Sequence, residues 1–286
     1  MPCLALNVDV LGMAAQTSLF ALKKTQTHAE VKGATPVKQE EVRSEYKKQI
    51  RLSPSTISVF RECPRCFWLA LNKNIYRPRG IFPSLPGGMD LVIKTYFDGY
   101  RVRGEMPPEV KGKVRGRLYE NLERLEAWRN WRLGLRYEDR TSGGVLSGAL
   151  DDCLIDGDQY IPLDYKTRGG DLRGGEERYY QHQLDIYTLM LKENGLPVAG
   201  VAYLLYYIPK VVSEDGMVRF DVIPHEVKTD PEAARKMLRD AIACLRGPIP
   251  KPHSQCEYCG WGSRWMEDTC NSFSNPHRDG PKQGSG

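Results

Sequence analysis

Residues 148–167 read GALDDCLIDGDQYIPLDYKT, and where the acids and one lysine fall in this stretch decides how the chain is read. Ala149 to Ile155 is mostly apolar, Asp156-Gly157-Asp158 is turn chemistry, and Tyr160 to Leu163 is apolar again. Two apolar runs joined by so short a polar turn predict a β-hairpin. Asp151 falls inside the first run, and Asp164 and Lys166 close the second. Side chains alternate along a strand, so Asp164 and Lys166 share a face and Tyr165 takes the other. An acid inside a sheet is costly without a partner. A divalent cation reconciles two carboxylates and an ammonium gathered at one spot. Carboxylate oxygens hold Mg2+ while leaving it several waters. Such an ion polarises a phosphoryl oxygen and lowers the pKa of bound water. The chemistry expected is therefore phosphodiester cleavage. Lys166 would orient the attacking hydroxide or offset charge on the phosphorane, since acting as a base would need a strongly depressed pKa. The competing reading is a hairpin with an ordinary surface ion pair, because D-x-K recurs by chance.

The 286 residues allow one large domain or two small ones, and 41% apolar residues suffice for a core. A net charge of +5 suits a nucleic-acid partner without requiring one. No run of about 20 apolar residues is present, so no membrane span is expected. Residues 4–20 lean apolar, but Asp9 and Gln16 interrupt them and no basic segment precedes them, so no secretory signal is expected. Four of the eight cysteines form two C-x-x-C pairs, Cys63/Cys66 and Cys256/Cys259. In a chain without an export signal this pattern reads as metal binding before disulfides, and places the protein in a reducing cytoplasm. The pairs lie about 190 positions apart with the candidate acids between them, and metal–thiolate bonds offset the entropy of closing so long a loop. Four thiolates satisfy tetrahedral zinc and equally a [4Fe–4S] cluster. Cys270 is an alternative to Cys66 as fourth ligand. Cys3, Cys153 and Cys244 have no paired spacing.

Residues 1–50 are expected to be poorly ordered or peripheral, with one charged run over Gln39 to Lys48. Ser53 and Pro54 predict a helix start and Pro64 a stop near Cys63. Arg77 to Gly88 reads as a loop. Met89, Ile93, Phe97 and Tyr100 then fall at helical spacing, and Leu118 to Trp131 reads as another helix. The run Trp128 to Tyr137 interleaves aromatics with arginines, either as a base-stacking, phosphate-neutralising surface or as core aromatics beside solvated arginines. Arg168 to Glu177 carries four glycines and reads as a flexible loop whose Arg168 and Arg173 could meet a phosphate. Arg178 to Asn194 is a helix with Tyr180, Leu184, Tyr187 and Leu191 as its stripe, and Gln183 stands one turn before Tyr187. Strands over Gly200 to Ile208 and Met217 to Val227 follow, the first reached by a crossover onto the same sheet. Asp230-Pro231 starts a last helix, and residues 263–286 read as a flexible tail.

Four pieces together resemble the RecB-like branch of the PD-(D/E)XK nucleases, in particular its iron–sulfur exonucleases related to the CRISPR-associated and AddB-type enzymes. They are Ser53-Pro54-Ser55 through Cys63-Pro64, Gly148-x-x-Asp151, Asp164-Tyr165-Lys166-Thr167 and Gln183-x-x-x-Tyr187. Order and spacing agree over residues 52–262. The resemblance implies a restriction-endonuclease-like α/β core over residues 51–262, a mixed β-sheet flanked by helices, with N- and C-terminal segments clamped by the cysteine metal site. It implies Mg2+ or Mn2+ held by Asp151 and Asp164, with Tyr165 in the metal set and Lys166 catalytic. Gln183 and Tyr187 would contact the site or the DNA. It also implies that Cys63, Cys66, Cys256 and Cys259 hold an iron–sulfur cluster rather than zinc.

The chain departs from the family pattern in two places. The helix from Gly87 (GGMDLVIKTYF) lacks the histidine that relatives often place there, and Asp90 is a substitute at a different spacing. Relatives commonly have one early cysteine and three late ones. No Walker-type loop is present, so any unwinding would fall to a helicase or other DNA-processing partner. The expected activity is a metal-dependent DNA nuclease on single-stranded or end-exposed DNA. The alternatives are a nucleic-acid-binding or complex-assembly subunit with a degenerate site, and a zinc-stapled scaffold.

Overall fold

The structure is a computed structural model that describes residues 49–78, 80 and 84–274, residues 267–274 by their backbone alone. The peripheral segment expected over 1–50 lies almost wholly outside the described residues. The chain begins with β1 (Ile50–Leu52), α1 (Pro54–Glu62), α2 (Pro64–Lys73) and α3 (Ser84–Val102). β2 (Arg117–Leu118), α4 (Leu122–Arg129), β3 (Leu135–Asp139) and β4 (Gly144–Gly148) lead into the central hairpin, β5 (Asp152–Asp156) and β6 (Gln159–Thr167). α5 (Glu177–Glu193), β7 (Val201–Val212), β8 (Val218–Lys228), α6 (Pro231–Arg246) and α7 (Glu257–Ser274) complete it.

The hairpin forms where the sequence places it. β5 and β6 pair antiparallel from Asp152 opposite Leu163 to Asp156 opposite Gln159. Gly157, the first of the two turn residues, has φ 61°, as a II′ hairpin turn requires. The strand expected from Ala149 starts only at Asp152, because the Leu150 N–H donates to the Trp128 carbonyl at 3.0 Å and draws the chain toward α4. From β6 the chain crosses through α5 to β7, which lies parallel to β6, and returns antiparallel as β8. The mixed sheet has the order β2-β5-β6-β7-β8, and β1-β4-β3 form a second, smaller sheet.

Alternation splits the large sheet into two cores. Ile161, Leu163 and Tyr165 of β6 join Val201, Tyr203, Leu205 and Tyr207 of β7 in a cluster with Ile93 and Phe97 of α3. Ala202, Leu204, Tyr206 and Ile208 face the other way, into a larger cluster with α1, α5 and α6. α5 is covered on several sides, so nearly every residue from His182 to Leu191 is buried, a wider band than its expected stripe.

A second charged group occupies the α3 face. Asp152 is fully buried and accepts from the Tyr165 hydroxyl at 2.6 Å and from Arg129 Nη2 at 3.1 Å. Arg101, also buried, pairs with Asp152 and Asp98 and donates from Nε to the Tyr119 carbonyl at 2.7 Å. Arg129 bonds Asp98 at 2.6 Å, and its Nε donates to the Asp151 carbonyl at 2.7 Å. Every charge here has several partners, the condition under which buried ions are tolerated.

Several expectations need correction. The helix expected over 118–131 is confined to Leu122–Arg129, with Leu118 paired in β2 and the Asn121 side chain capping the Arg124 N–H at 2.9 Å. In the aromatic–arginine run, Trp128, Leu135 and Tyr137 are buried, while Trp131 and Leu133 are exposed. The core reading thus holds for three of its apolar residues, and 135–139 is a strand. Residues 84–88, read as loop, open α3. The tail expected from 263 continues as α7 to Ser274.

Asp152→Ala would leave Arg101 and Arg129 facing each other without their shared carboxylate. The expected loss is about 3–5 kcal/mol, read as a lowered urea midpoint at neutral pH. A change below about 1 kcal/mol would show that the network does not hold the fold together.

Candidate active site and metal centre

The last hydrogen-bonded pair at the open end of the hairpin is Asp152 with Leu163. One step further along the same register, Asp151 comes opposite Asp164. Residues so placed have β-carbons about 4.5–5.5 Å apart. The ladder therefore brings the two acids together. Asp164 is fully buried, and Asp151 is partly exposed. Lys166, two residues on and on the same face, pairs with Asp164. Its Nζ lies 3.4 Å from Gln183 Oε1 and 4.6 Å from the Tyr180 ring centre. Gln183 Nε2 donates to Asp164 Oδ1 at 2.9 Å and to the Tyr187 hydroxyl at 2.8 Å. The structure thus brings Asp151, Asp164, Lys166, Gln183 and Tyr187 to one place. The Tyr165 hydroxyl is bonded to Asp152 on the other face, so only the main chain of Tyr165 is left to serve this site.

Two residues of α3 complete the surroundings. Lys94 Nζ bridges Asp90 Oδ2 at 2.7 Å and Asp151 Oδ1 at 2.8 Å. Asp90 therefore lies beside the site across an ammonium. Sequence reasoning named Asp90 but missed Lys94, because an Asp/Lys pair one turn apart reads as an ordinary helix ion pair. It also missed Arg129, whose hold on the Asp151 carbonyl fixes that residue from behind.

The electrostatics are dominated by burial. Burial pushes the Asp164 carboxyl up to about 7, against the pull of Lys166 and with a further push from Asp151. Burial and the nearby carboxylates raise the Tyr187 phenol well above its ordinary range, so it remains a neutral hydroxyl. Asp164 Oδ2 is buried and has no hydrogen-bond partner among the described residues. Lys166 sits next to it, so that contact is ionic without hydrogen-bond geometry. A buried carboxylate oxygen left in this state, opposite a second carboxylate, fits a hard divalent cation such as Mg2+ or Mn2+.

The four cysteines meet at a second centre. Cys63 lies at the junction where α1 ends and α2 begins, Cys66 is in the first turn of α2, and Cys256 and Cys259 lie at the start of α7. Their sulfurs all lie within 4.8 Å of one another. Cys63 and Cys259 are 3.8 Å apart, and Cys66 is 3.6 Å from both Cys256 and Cys259. Burial alone would raise the Cys63 thiol, but the N–H groups of His253 and Cys66 outweigh it and bring it down to about 7. A thiol so poised is ready to bind metal as thiolate. Arg77 adds positive charge, lying beside Cys66, paired with Glu62 and stacked 4.7 Å from the Tyr258 ring centre. Cys270 lies on α7, and its side chain is outside the described residues.

Residues 93–264 match the PD-(D/E)XK nuclease superfamily, more than half of the chain, and the chain belongs to that superfamily. Its fold is the expected α/β core, a mixed sheet flanked by helices with a cysteine cluster joining early and late segments. Among solved structures, "Crystal structure of SSO0001" is similar, with a TM-score of 0.40 and 16% identity over 77% of this chain and 88% of that chain. No curated protein matches. Metal-dependent cleavage of nucleic acid is the coarse functional class that the superfamily implies. Among the described residues no helix is long and apolar enough to cross a membrane.

A proton on Asp164 competes with a metal ion. The raised pKa keeps that proton bound up to about pH 7, so metal binding below that pH releases it. The apparent Mn2+ affinity measured calorimetrically should climb as pH rises from 5 to 7, by up to about tenfold per unit, and level off above. A flat profile would show that Asp164 is not a ligand.

Proposed function

We propose that this chain is a Mg2+- or Mn2+-dependent deoxyribonuclease, exonuclease-like on single-stranded or end-exposed DNA. One observation carries the reading: Asp151 and Asp164 converge across β5 and β6 with Lys166 and Gln183 on the same carboxylate. Asp151 and Asp164, with the Tyr165 carbonyl as a further candidate, would hold a divalent ion, which would supply Lewis acidity to activate water against the phosphodiester. The chain's own groups supply the rest. Gln183 fixes the rotamer of Asp164, and Tyr187 fixes Gln183. Lys166 keeps a positive charge where the phosphorane develops negative charge. The iron–sulfur exonuclease branch is the closer kinship we infer, with DNA repair or CRISPR-associated processing as its setting, a helicase or similar protein as partner and the cytoplasm as its place.

The cysteine centre has two candidate occupants. The motif resemblance favours a [4Fe–4S] cluster. The sulfur spacing favours a single ion: bonds of about 2.3 Å to a tetrahedral zinc set the sulfurs about 3.8 Å apart, and the shortest separations here are 3.6–3.8 Å. An anaerobic preparation separates them by a visible charge-transfer band near ~400 nm, present with iron and absent with zinc.

A second reading, a binding or assembly subunit with a degenerate site, draws on the Lys94 bridge between Asp90 and Asp151, where an internal cation stands among the acids. Purified protein tested on labelled linear and circular DNA with Mg2+, Mn2+ or chelator decides between the two. Metal-dependent cleavage is expected on linear DNA, and Lys166→Ala should lower it by about 10²–10³-fold. Asp164→Ala should abolish it with the fold intact by circular dichroism. Cleavage by Asp164→Ala at the parental rate in Mn2+ would remove this site from consideration.

A further inference from the structure

A cleft of about 950 Å3 opens between α1 and the glycine loop that leads into α5, and its wall residue His182 feels the charge of Lys166. Arg61, Arg168, Arg173 and Arg178 line it, with two acids, Glu62 and Glu176. Both acids are already engaged, Glu62 by Arg77 and Glu176 by Arg168 and the Arg173 N–H. Among the described residues Arg61, Arg173 and Arg178 form no ion pair, although Arg61 lies within electrostatic reach of the buried Asp185. The cleft therefore holds three guanidiniums that no carboxylate contacts directly.

One of them is held by a built contact. His182 of α5 is 6% exposed and faces α1. Arg61 Nη1 lies 2.5 Å from its Nδ1, and Ser58 Oγ 2.6 Å from its Nε2. Arginine can only donate, so Nδ1 accepts and Nε2–H donates to Ser58. Ser58 in turn donates to the Pro54 carbonyl at 3.1 Å. In this tautomer the imidazole cannot take a proton from Ser58, so the pair is no nucleophile–base couple. Burial and the Arg61 charge hold His182 down to about 4, so it stays neutral and serves to aim Arg61. The next residue, Gln183, bonds Asp164. Arg168, on the cleft wall, stands two positions after Lys166. The cleft and the acidic site are thus set by adjacent residues on α5 and on the chain leaving β6.

We propose that this cleft seats a second phosphate group of the substrate strand, next to the one that reacts, through Arg61, Arg173 and Arg178, with His182 as the positioning residue for Arg61. The inference rests on the nuclease reading and adds the place where the strand is gripped. The shared chemistry is a nucleic-acid phosphate, either a terminal monoester or a backbone diester. Arginine forks suit both.

The test uses the full chain carrying Asp164→Ala, so that binding is read without turnover. Single-stranded DNA of one sequence is offered with a 5′-phosphate, a 3′-phosphate, hydroxyl ends only, or as a circle, and the Kd is followed by anisotropy over a range of salt. Adding Arg61→Gln and Arg178→Gln together should weaken binding about tenfold or more and reduce the log–log salt slope by about 0.7, the share of one single-strand phosphate. A loss confined to one phosphorylated end assigns a terminal monoester, and an equal loss on the circle assigns a backbone diester. With Asp164 intact, the same double variant and His182→Ala should raise KM for DNA and leave kcat within about twofold, with His182→Asn recovering part of the loss. Affinity and slope within twofold of the parent, or a loss matched by the remote Arg103→Gln, would overturn the cleft. A parent that cleaves DNA while the arginine variants bind normally would sink the cleft alone. A wild-type chain that neither binds nor cleaves DNA would remove the nuclease reading and the cleft with it.

Discussion

The structure depends on two acids meeting across a ladder that has just ended. β5 and β6 stop pairing at Asp152 and Leu163, and the next step brings Asp151 across from Asp164. The fully buried Asp164 could not sit there charged in isolation, since a buried unpaired charge costs on the order of several kcal/mol. Lys166 answers Asp164 from the same strand face, Gln183 answers it from α5, and Lys94 answers Asp151 from α3. α5 and α3 belong to different cores on opposite faces of the sheet. Their polar residues nevertheless reach the same end of the hairpin, so the site joins the two cores.

Adjacent residues show how the same chemistry divides into structure and function. Asp151 and Asp152 are chemically identical, and strand alternation sends them to opposite faces. Asp152 is fully satisfied by Tyr165, Arg101 and Arg129. The pair Asp151 and Asp164 is not, because Asp164 Oδ2 has no hydrogen bond. A complete network rigidifies, whereas an incomplete one marks a place where another group is expected. Arg129 connects the two faces, because the side chain that neutralises Asp152 also holds the Asp151 carbonyl. The structural network thereby sets the position of the chemical one.

What the sequence revealed was what local rules govern. The hairpin turn, the Ser53-Pro54 start, the stop at Cys63 and the parallel crossover all follow from neighbouring residues, and each appears in the fold. The faces of Asp164, Lys166 and Tyr165 followed from alternation alone. Features that depend on distant partners were hidden. β3 does alternate, burying Leu135 and Tyr137, but so short a run beside arginines and glycines becomes a strand only by pairing with β4, which in turn pairs with β1. Asp98, Arg101 and Arg129 read as ordinary surface charges until tertiary packing buries them around Asp152. Lys94 reads as half of a helix ion pair, and only the fold shows its second acid. The cysteine pairs were legible as a metal site, but sulfur spacing is a property of the folded chain.

The cysteine centre and the acidic site are parts of one mechanical arrangement. α1 ends at Cys63, and Cys66 follows in the first turn of α2. Their sulfurs gather with those of Cys256 and Cys259, about 190 positions along the chain, where a bound metal would tie the segments together. One turn before Cys63, the same helix presents Ser58 and Arg61 to His182 of α5. The residue after His182 holds Asp164. Ser58, Arg61 and His182 thus join α1 to the helix that carries Gln183. A metal held by the cysteines would do more than close a long loop: it would fix the helix whose Ser58 and Arg61 contact α5 beside Gln183.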